Sequence, residues 1–116
     1  PAPDVGDFIV LVANEASEIP ATRMAGLAPV LSSPIKLRAL IVPKESAYPA
    51  LGDMLRSDHA PFWFAKKRAV FLTDTTQFRN ANYHKDTDTP DTLDYDFLAR
   101  VTGLVVGSAA VYAGAE

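Results

Sequence analysis

The chain has 116 residues, of which 48% are hydrophobic and 22% are charged, and this make-up predicts one folded domain spanning 1–116. The formal net charge is −3 and the longest basic run is KKR at 66–68, so nucleic acid is not an expected partner. The absence of cysteine excludes disulfides, cysteine-based zinc sites and thiol nucleophiles, and it leaves the cellular compartment open. The N-terminus PAPDVGDF has no signal-peptide pattern.

Three apolar runs predict strands in the interior of a parallel or mixed sheet. Continuous β-branched and aromatic runs without polar alternation are typical of strands covered on both faces. The three runs are DFIVLVA at 7–13, LRALIVP at 37–43 and RAVFLTD at 68–74.

Two segments predict helices. The first, ATRMAGLAPVL at 21–31, is weakened or kinked by Gly26 and Pro29. It places four apolar residues on one face, namely Met24, Leu27, Ala28 and Leu31. For the second helix, Thr89 is the expected N-cap, with Pro90 at the first helical position and Asp91 in the first turn. Its apolar stretch VTGLVVGSAAVYAGA is shorter than the roughly 20 residues that span a bilayer, which predicts a buried helix and no membrane span.

This order of elements predicts the α/β class, as half of a three-layer α/β/α sandwich with a parallel or mixed sheet. Two long irregular stretches, at 44–61 and 75–89, are expected to be functional loops. Two helices are too few to cover both faces of three such strands. We therefore expect the chain to pack against another chain or to be a piece of a longer one.

One candidate site lies in LRSDHAPFW at 55–63. Asp58 could orient an imidazole or a substrate amine there, while Phe62 and Trp63 form an apolar wall. In the alternative interpretation, Ser57 and Asp58 cap a short helical turn begun by Pro61, and the aromatic side chains belong to the core.

The second candidate site is NANYHKDTDTPDTLDYDF at 80–97. His84 is of the commonest zinc-ligand type and is followed by Asp86, Asp88 and Asp91. The stretch contains neither an H-E-x-x-H motif nor the glycine and terminal glutamate of a calcium loop. The local pattern therefore also fits a structural histidine followed by solvated loop and cap residues.

Four linked motifs resemble, in order and spacing, the C-terminal portion of one zinc aminopeptidase family. That family includes secreted bacterial leucyl aminopeptidases, plasma glutamate carboxypeptidase and the glutaminyl cyclases. The motifs are RSDHAPFW at 56–63, FLTDT at 71–75, FRNANYH at 78–84 and DTPDTLDY at 88–95. In addition, GDFIVLVANEAS at 6–17 resembles the strand that precedes them in the family.

The resemblance implies a site with two zinc ions at the C-terminal edge of a mixed sheet. His84 matches the last zinc ligand, and Tyr83 matches a position whose hydroxyl stabilises the tetrahedral oxyanion in some members. Asp58 matches an aspartate of the substrate pocket, with Arg56 and Phe62 lining the same region. Zinc lowers the pKa of its bound water and polarises the scissile carbonyl, so a ligand histidine must lie on a rigid loop beside the pocket.

The family's other zinc ligands and its general-base glutamate come from motifs that precede the strand near Asp7, and this sequence does not contain them. The resemblance therefore implies hydrolysis of N-terminal peptide bonds in a peptide substrate only after completion by a missing N-terminal segment or another chain. We expect the chain to be inactive alone. The family resemblance allows a secreted or periplasmic location.

A second departure is WFAKKRAVF at 63–71, where members of the family usually have a short glycine-containing turn. Two rival hypotheses remain. One is a non-catalytic interaction module that keeps the peptidase-like fold. The other is a glutaminyl cyclase-like acyltransferase, against which Tyr83 argues because those enzymes generally have tryptophan there.

Overall fold

A computed structural model describes residues 6–43 and 52–114 and shows an α/β fold with a mixed sheet. Its strands are β1 (Phe8–Asn14), β2 (Lys36–Val42) and β3 (Val70–Thr73). β1 lies in the centre, parallel to β2 and antiparallel to β3. Leu11, for example, is opposite Ala39 on one side and opposite Leu72 on the other. The predicted α/β class, the mixed sheet and the three strands are confirmed.

Four α-helices accompany the sheet: α1 (Glu18–Leu27), α2 (His59–Phe64), α3 (Thr76–Arg79) and α4 (Tyr95–Tyr112). The helix predicted at 21–31 corresponds to α1, but it begins earlier and ends before Pro29, whose nitrogen has no hydrogen to donate to the helix. Of the loop predicted at 44–61, residues 44–51 lie outside the described residues. The rest of that loop is a 3₁₀ turn at 52–55 followed by the start of α2.

β1 is buried on both faces, as the sequence predicts. On one face Ile9 and Leu11 pack in a cluster with Met24 of α1 and Leu104 of α4. On the opposite face Val12 packs against Trp63 and Val42. The central strand therefore packs against α1 and α4 on one side of the sheet and against α2 on the other.

β3 and β2 lie at the two edges of the sheet within the described part of the chain, so their prediction as interior strands is wrong there. β2 is the more exposed of the two. Most of its residues are exposed, and even Leu40 is 42% exposed. An apolar run shows which side chains tolerate burial, whereas the elements available to cover a strand decide whether it is buried. Lys36 and Arg38 are exposed on β2, and such charged side chains are a common protection of sheet edges.

α4 begins later than the sequence predicts. Residues Pro90–Thr92 form a separate 3₁₀ turn, and Thr89 at its N-cap position makes no side-chain capping hydrogen bond. Leu93 is extended, and the carboxylate of Asp94 accepts a hydrogen bond from the Phe97 backbone N–H at 2.9 Å. Asp94 is thus the N-cap of α4, because its side chain reaches the unpaired donors of the first turn.

The prediction of α4 as a buried helix is also wrong in part. Leu104 and Ser108 are buried, but Val106 is 62% exposed. The helix is therefore amphipathic, and one stripe of it faces the sheet. Among the described helices, none combines the length and the apolar character needed to cross a bilayer.

Candidate functional site

A cleft of about 730 Å³ opens beside the carboxyl end of β3, a size in the range typical of small-molecule sites. The residues 53–57, α3 and the N-terminal half of α4 form its other walls. Its apolar lining includes Ile9, Phe71, Leu72, Leu93, Phe97, Leu98 and Val101. Its charged and amide side chains are Asp53, Arg56, Asp74, Arg79, Asn80 and Asp94, with Tyr83 beside them.

The structure brings two of the predicted site residues together in this cleft. Arg56 and Tyr83 line it, whereas Asp58, Phe62 and His84 are not among the described residues of its lining. The guanidinium of Arg56 donates to the carboxylate of Asp53 at 3.3 Å, and both side chains are half-exposed. A pair so accessible to water contributes little to stability, so it positions charge at the cleft rather than holding the fold.

Tyr83 and His84 lie on the loop that follows α3. The Asn80 side chain accepts a hydrogen bond from the Asn82 backbone N–H at 2.8 Å, and the Tyr83 N–H donates to the Asn80 carbonyl at 3.2 Å. The rings of Tyr83 and His84 are stacked with centroids 4.0 Å apart. His84 is exposed and has a φ of 56°, in the left-handed region that glycine adopts freely and that asparagine, aspartate and histidine enter more often than other residues. The loop therefore holds an exposed imidazole against a tyrosine that lines the cleft.

The donor set that a zinc ion requires is incomplete in the described part of the chain. Across 6–43 and 52–114, no group of three or more histidine, aspartate or glutamate side chains is arranged to hold a metal. Asp86 and Asp88, which follow His84, are exposed. The described residues alone do not fit zinc, since a catalytic zinc takes about three protein ligands.

His59 is a residue of the core. It is 5% exposed, its ring stacks on Phe71 with centroids 4.6 Å apart, and it forms a T-shaped pair with Trp63 whose ring centroids are 4.5 Å apart. Its Nε2 lies 2.6 Å from the Met54 carbonyl oxygen, to which the neutral ring donates. Burial lowers the pKa of His59, and the Met54 hydrogen bond and the charge of Asp58 oppose this only in part. His59 is therefore held neutral as a structural histidine.

In the alternative interpretation of this segment, the aromatic side chains belong to the core. This is confirmed for Trp63 and wrong for Phe62. Trp63 is buried, and its indole N–H donates to the Ala69 carbonyl at 2.9 Å. Phe62 is exposed, and Asp58, at the N-cap position of α2, makes no side-chain capping hydrogen bond. Asp58 is therefore exposed at the start of α2 and does not cap it.

The turn between α2 and β3 is closed without glycine. Lys66 has a φ of 58°, its N–H donates to the Trp63 carbonyl at 3.0 Å, and the Lys67 N–H donates to the Phe62 carbonyl at 2.8 Å. These two hydrogen bonds define a Schellman motif, in which the left-handed residue is usually glycine. The KKR segment thus forms a turn that glycine usually closes, and the left-handed backbone of Lys66 carries a conformational cost.

Sequence reasoning missed Arg79 and Asp74 as residues of the cleft. The carboxylate of Asp74 accepts a hydrogen bond from the Thr76 N–H at 3.0 Å and so starts α3. Arg79 ends α3, and its Cζ lies 5.2 Å from the centroid of the Phe8 ring. The sequence signal for the start of α3 is the segment TDTTQFR at 73–79, because an aspartate just before a helix often accepts a hydrogen bond from an N–H group of the first turn.

The chain is similar to the uncharacterised protein YfbL of Escherichia coli strain K12, with 33% identity over 104 residues. The alignment covers 90% of this chain and 30% of YfbL, so the chain spans less than a third of the length of that relative. No protein-family profile and no solved structure matches the chain.

Proposed function

We propose that the chain is the C-terminal part of a zinc-dependent aminopeptidase-like hydrolase that acts on N-terminal peptide bonds. In this proposal the mixed sheet belongs to a three-layer α/β/α sandwich that other segments complete. The four linked motifs support the family, and the coverage of 30% of YfbL is consistent with a portion of a larger protein. The observation that carries the proposal is the Tyr83–His84 pair.

The left-handed backbone of His84 belongs to a turn, in which the Lys85 N–H donates to the Asn82 carbonyl at 2.9 Å and His84 is the third residue. A left-handed conformation costs an L-residue roughly 1–2 kcal/mol, and the exposed imidazole returns no burial energy. Strained residues of this kind concentrate at functional sites. We assign His84 as a zinc ligand and Tyr83 as a hydrogen-bond donor to the tetrahedral oxyanion, because Tyr83 lines the cleft and its ring is stacked on that of His84.

Further ligands must come from outside the described residues. Within those residues His84 belongs to no group of three or more side chains that could hold a metal, so we infer that the 116-residue chain alone is inactive. The pocket roles of Arg56, Asp58 and Phe62 are part of the same proposal. Of these, Arg56 already lines the cleft, and the other two belong to a wall that the remaining segments would complete.

The test uses the natural full-length protein that carries this chain, purified with zinc. We expect chelator-sensitive release of the N-terminal amino acid from leucine 4-nitroanilide and related substrates. His84→Asn should abolish the release, because asparagine tolerates the left-handed backbone but does not replace the imidazole. Asp86→Asn, two positions away on the same exposed loop, is the matched control and should retain activity.

Full activity of the His84→Asn variant would refute the ligand assignment. Release of amino acid by the 116-residue chain alone would refute the inference that other segments complete the site.

The second candidate is a non-catalytic interaction module with a peptidase-like fold. The exposed apolar stripe of α4, which includes Val105 and Val106, favours it because such surfaces often contact partners. A full-length protein that binds no zinc and hydrolyses none of these substrates, yet unfolds cooperatively, would favour this candidate over the hydrolase.

A further inference from the structure

We propose that Arg79 binds the free C-terminal carboxylate of a short peptide in the cleft, so that the substrates are dipeptides and tripeptides. This inference rests on the proposed function for its reaction, but the binding itself does not depend on catalysis. It follows from how Arg79 is held, from the distribution of charge in the cleft, and from the shape of the lining.

The guanidinium of Arg79 is held between a ring and a glycine. Its Cζ lies 5.2 Å from the centroid of Phe8 at the start of β1, which is within cation–π range. A Cβ atom placed on Gly6 would lie 3.4 Å from Nη2 of Arg79, an ordinary van der Waals contact, so Gly6 is a close neighbour of the guanidinium. An arginine restrained in this way loses less conformational freedom when it binds an anion.

The carboxylates of the cleft already have partners. Asp53 pairs with Arg56 at 3.3 Å, while Asp74 and Asp94 accept backbone N–H groups at the starts of α3 and α4, at 3.0 and 2.9 Å. Among the described residues, no carboxylate lies within ion-pair distance of Arg79. Arg79 is thus a cleft cation whose forked donors match a carboxylate supplied by a ligand.

The rest of the lining fits a short peptide. Phe97, Leu98 and Val101 of α4 provide an apolar wall for side chains, and Asn80 and Tyr83 provide polar groups on the opposite loop. The cleft volume of about 730 Å³ is in the range of small-ligand sites. A carboxylate anchored at Arg79 would select peptides short enough for their C-terminus to reach it.

The test compares leucyl-leucine with leucyl-leucinamide, which differ only in the terminal carboxylate, as substrates of the full-length protein. We expect kcat/KM for the acid to exceed that for the amide, and we expect Arg79→Ala to lower the acid-to-amide ratio about 10- to 100-fold, as for one charge-assisted hydrogen bond. Arg79→Lys should restore part of the ratio, because it keeps the charge without the fork.

Arg100→Ala is the matched control. The Arg100 Cζ lies 5.5 Å from the Phe97 ring centroid, a similar contact, but Arg100 is not among the described residues of the cleft lining. Its removal should leave the acid-to-amide ratio unchanged. A ratio that stays constant in Arg79→Ala, or that falls equally in Arg100→Ala, would overturn the proposal.

Two further arms separate the possible failures. If the α-amide of leucyl-glutamate is preferred over leucyl-leucine, the bound carboxylate belongs to an acidic side chain and the C-terminal assignment is wrong. If no peptide is hydrolysed but calorimetry shows Arg79-dependent binding of leucyl-leucine over its amide, the anchor stands and the proposed hydrolase does not.

Discussion

The buried imidazole of His59 makes the stability of the fold depend on pH, and the direction follows from its contacts. In the neutral ring Nε2 donates to the Met54 carbonyl at 2.6 Å, and Nδ1 has no hydrogen-bond partner among the described residues. Protonation would place a second N–H donor in this buried position. Burial accordingly lowers the pKa of His59 in the folded protein, so the unfolded chain binds the proton more readily.

The magnitude is bounded by the unfolded chain. A group whose pKa is lowered on folding contributes full stability above its unfolded value, near 6.5 for histidine, and that stability is lost as the pH falls. If the folded ring stays neutral throughout, lowering the pH from about 7.5 to about 5.0 removes at most about 2 kcal/mol. His59→Phe keeps an aromatic ring against Phe71 and Trp63 but leaves the Met54 carbonyl unpaired, which costs about 1–3 kcal/mol.

The assay compares a reference form of the 116-residue chain with its His59→Phe variant by urea unfolding at both pH values. Unfolding is followed through the fluorescence of Trp63, the single tryptophan of the chain. Both proteins carry His84→Asn, so that His59 is the one histidine left in the reference protein and none remains in its His59→Phe partner. Carboxylates titrate equally in the two proteins and cancel in the comparison. We expect the deficit of His59→Phe to shrink at the lower pH. An equal loss of stability in both proteins would show that His59 is not held neutral by burial.

Three further predictions concern stability and are measured by the same unfolding assay at constant pH. Leu104→Ala, at a side chain that is 0% exposed, should cost about 2–5 kcal/mol, whereas Val106→Ala on the exposed side of the same helix should cost much less. Lys66→Gly should raise the free energy of unfolding by about 1 kcal/mol, because glycine adopts the left-handed conformation without strain; a lower stability would mean that the lysine side chain contributes more than the strain costs. Asp94→Ala should cost about 1 kcal/mol through loss of the helix cap, and a larger effect of Asp91→Ala would contradict the assignment of the cap.

The secondary structure could be predicted where a local pattern determines it. The run that became β1 is buried on both faces, and its side chains allow little else. The start of α4 was misplaced because two residues with capping side chains, Thr89 and Asp94, lie close together in the sequence. The extended conformation of Leu93 separates the 3₁₀ turn that follows Thr89 from the long helix that Asp94 caps.

The candidate site could be predicted only in part, because its geometry depends on contacts between distant segments. Tyr83 and Arg56 were singled out by motif and do line the cleft. The placement of Arg79 depends on Phe8 and Gly6, which lie at the other end of the described sequence, and no local pattern reports such a contact. The status of His59 likewise depends on Phe71, which comes from the following strand.

The left-handed backbone of His84 also restricts which substitutions this position can accept during evolution. With a φ of 56°, it accommodates glycine, asparagine and aspartate far more readily than β-branched residues. Homologues that have lost the histidine should therefore carry mainly those small or amide residues, rather than the threonine, valine or glutamine that drift at an ordinary exposed site would produce. Such a pattern would separate a position constrained by its backbone alone from one that selection also keeps as histidine.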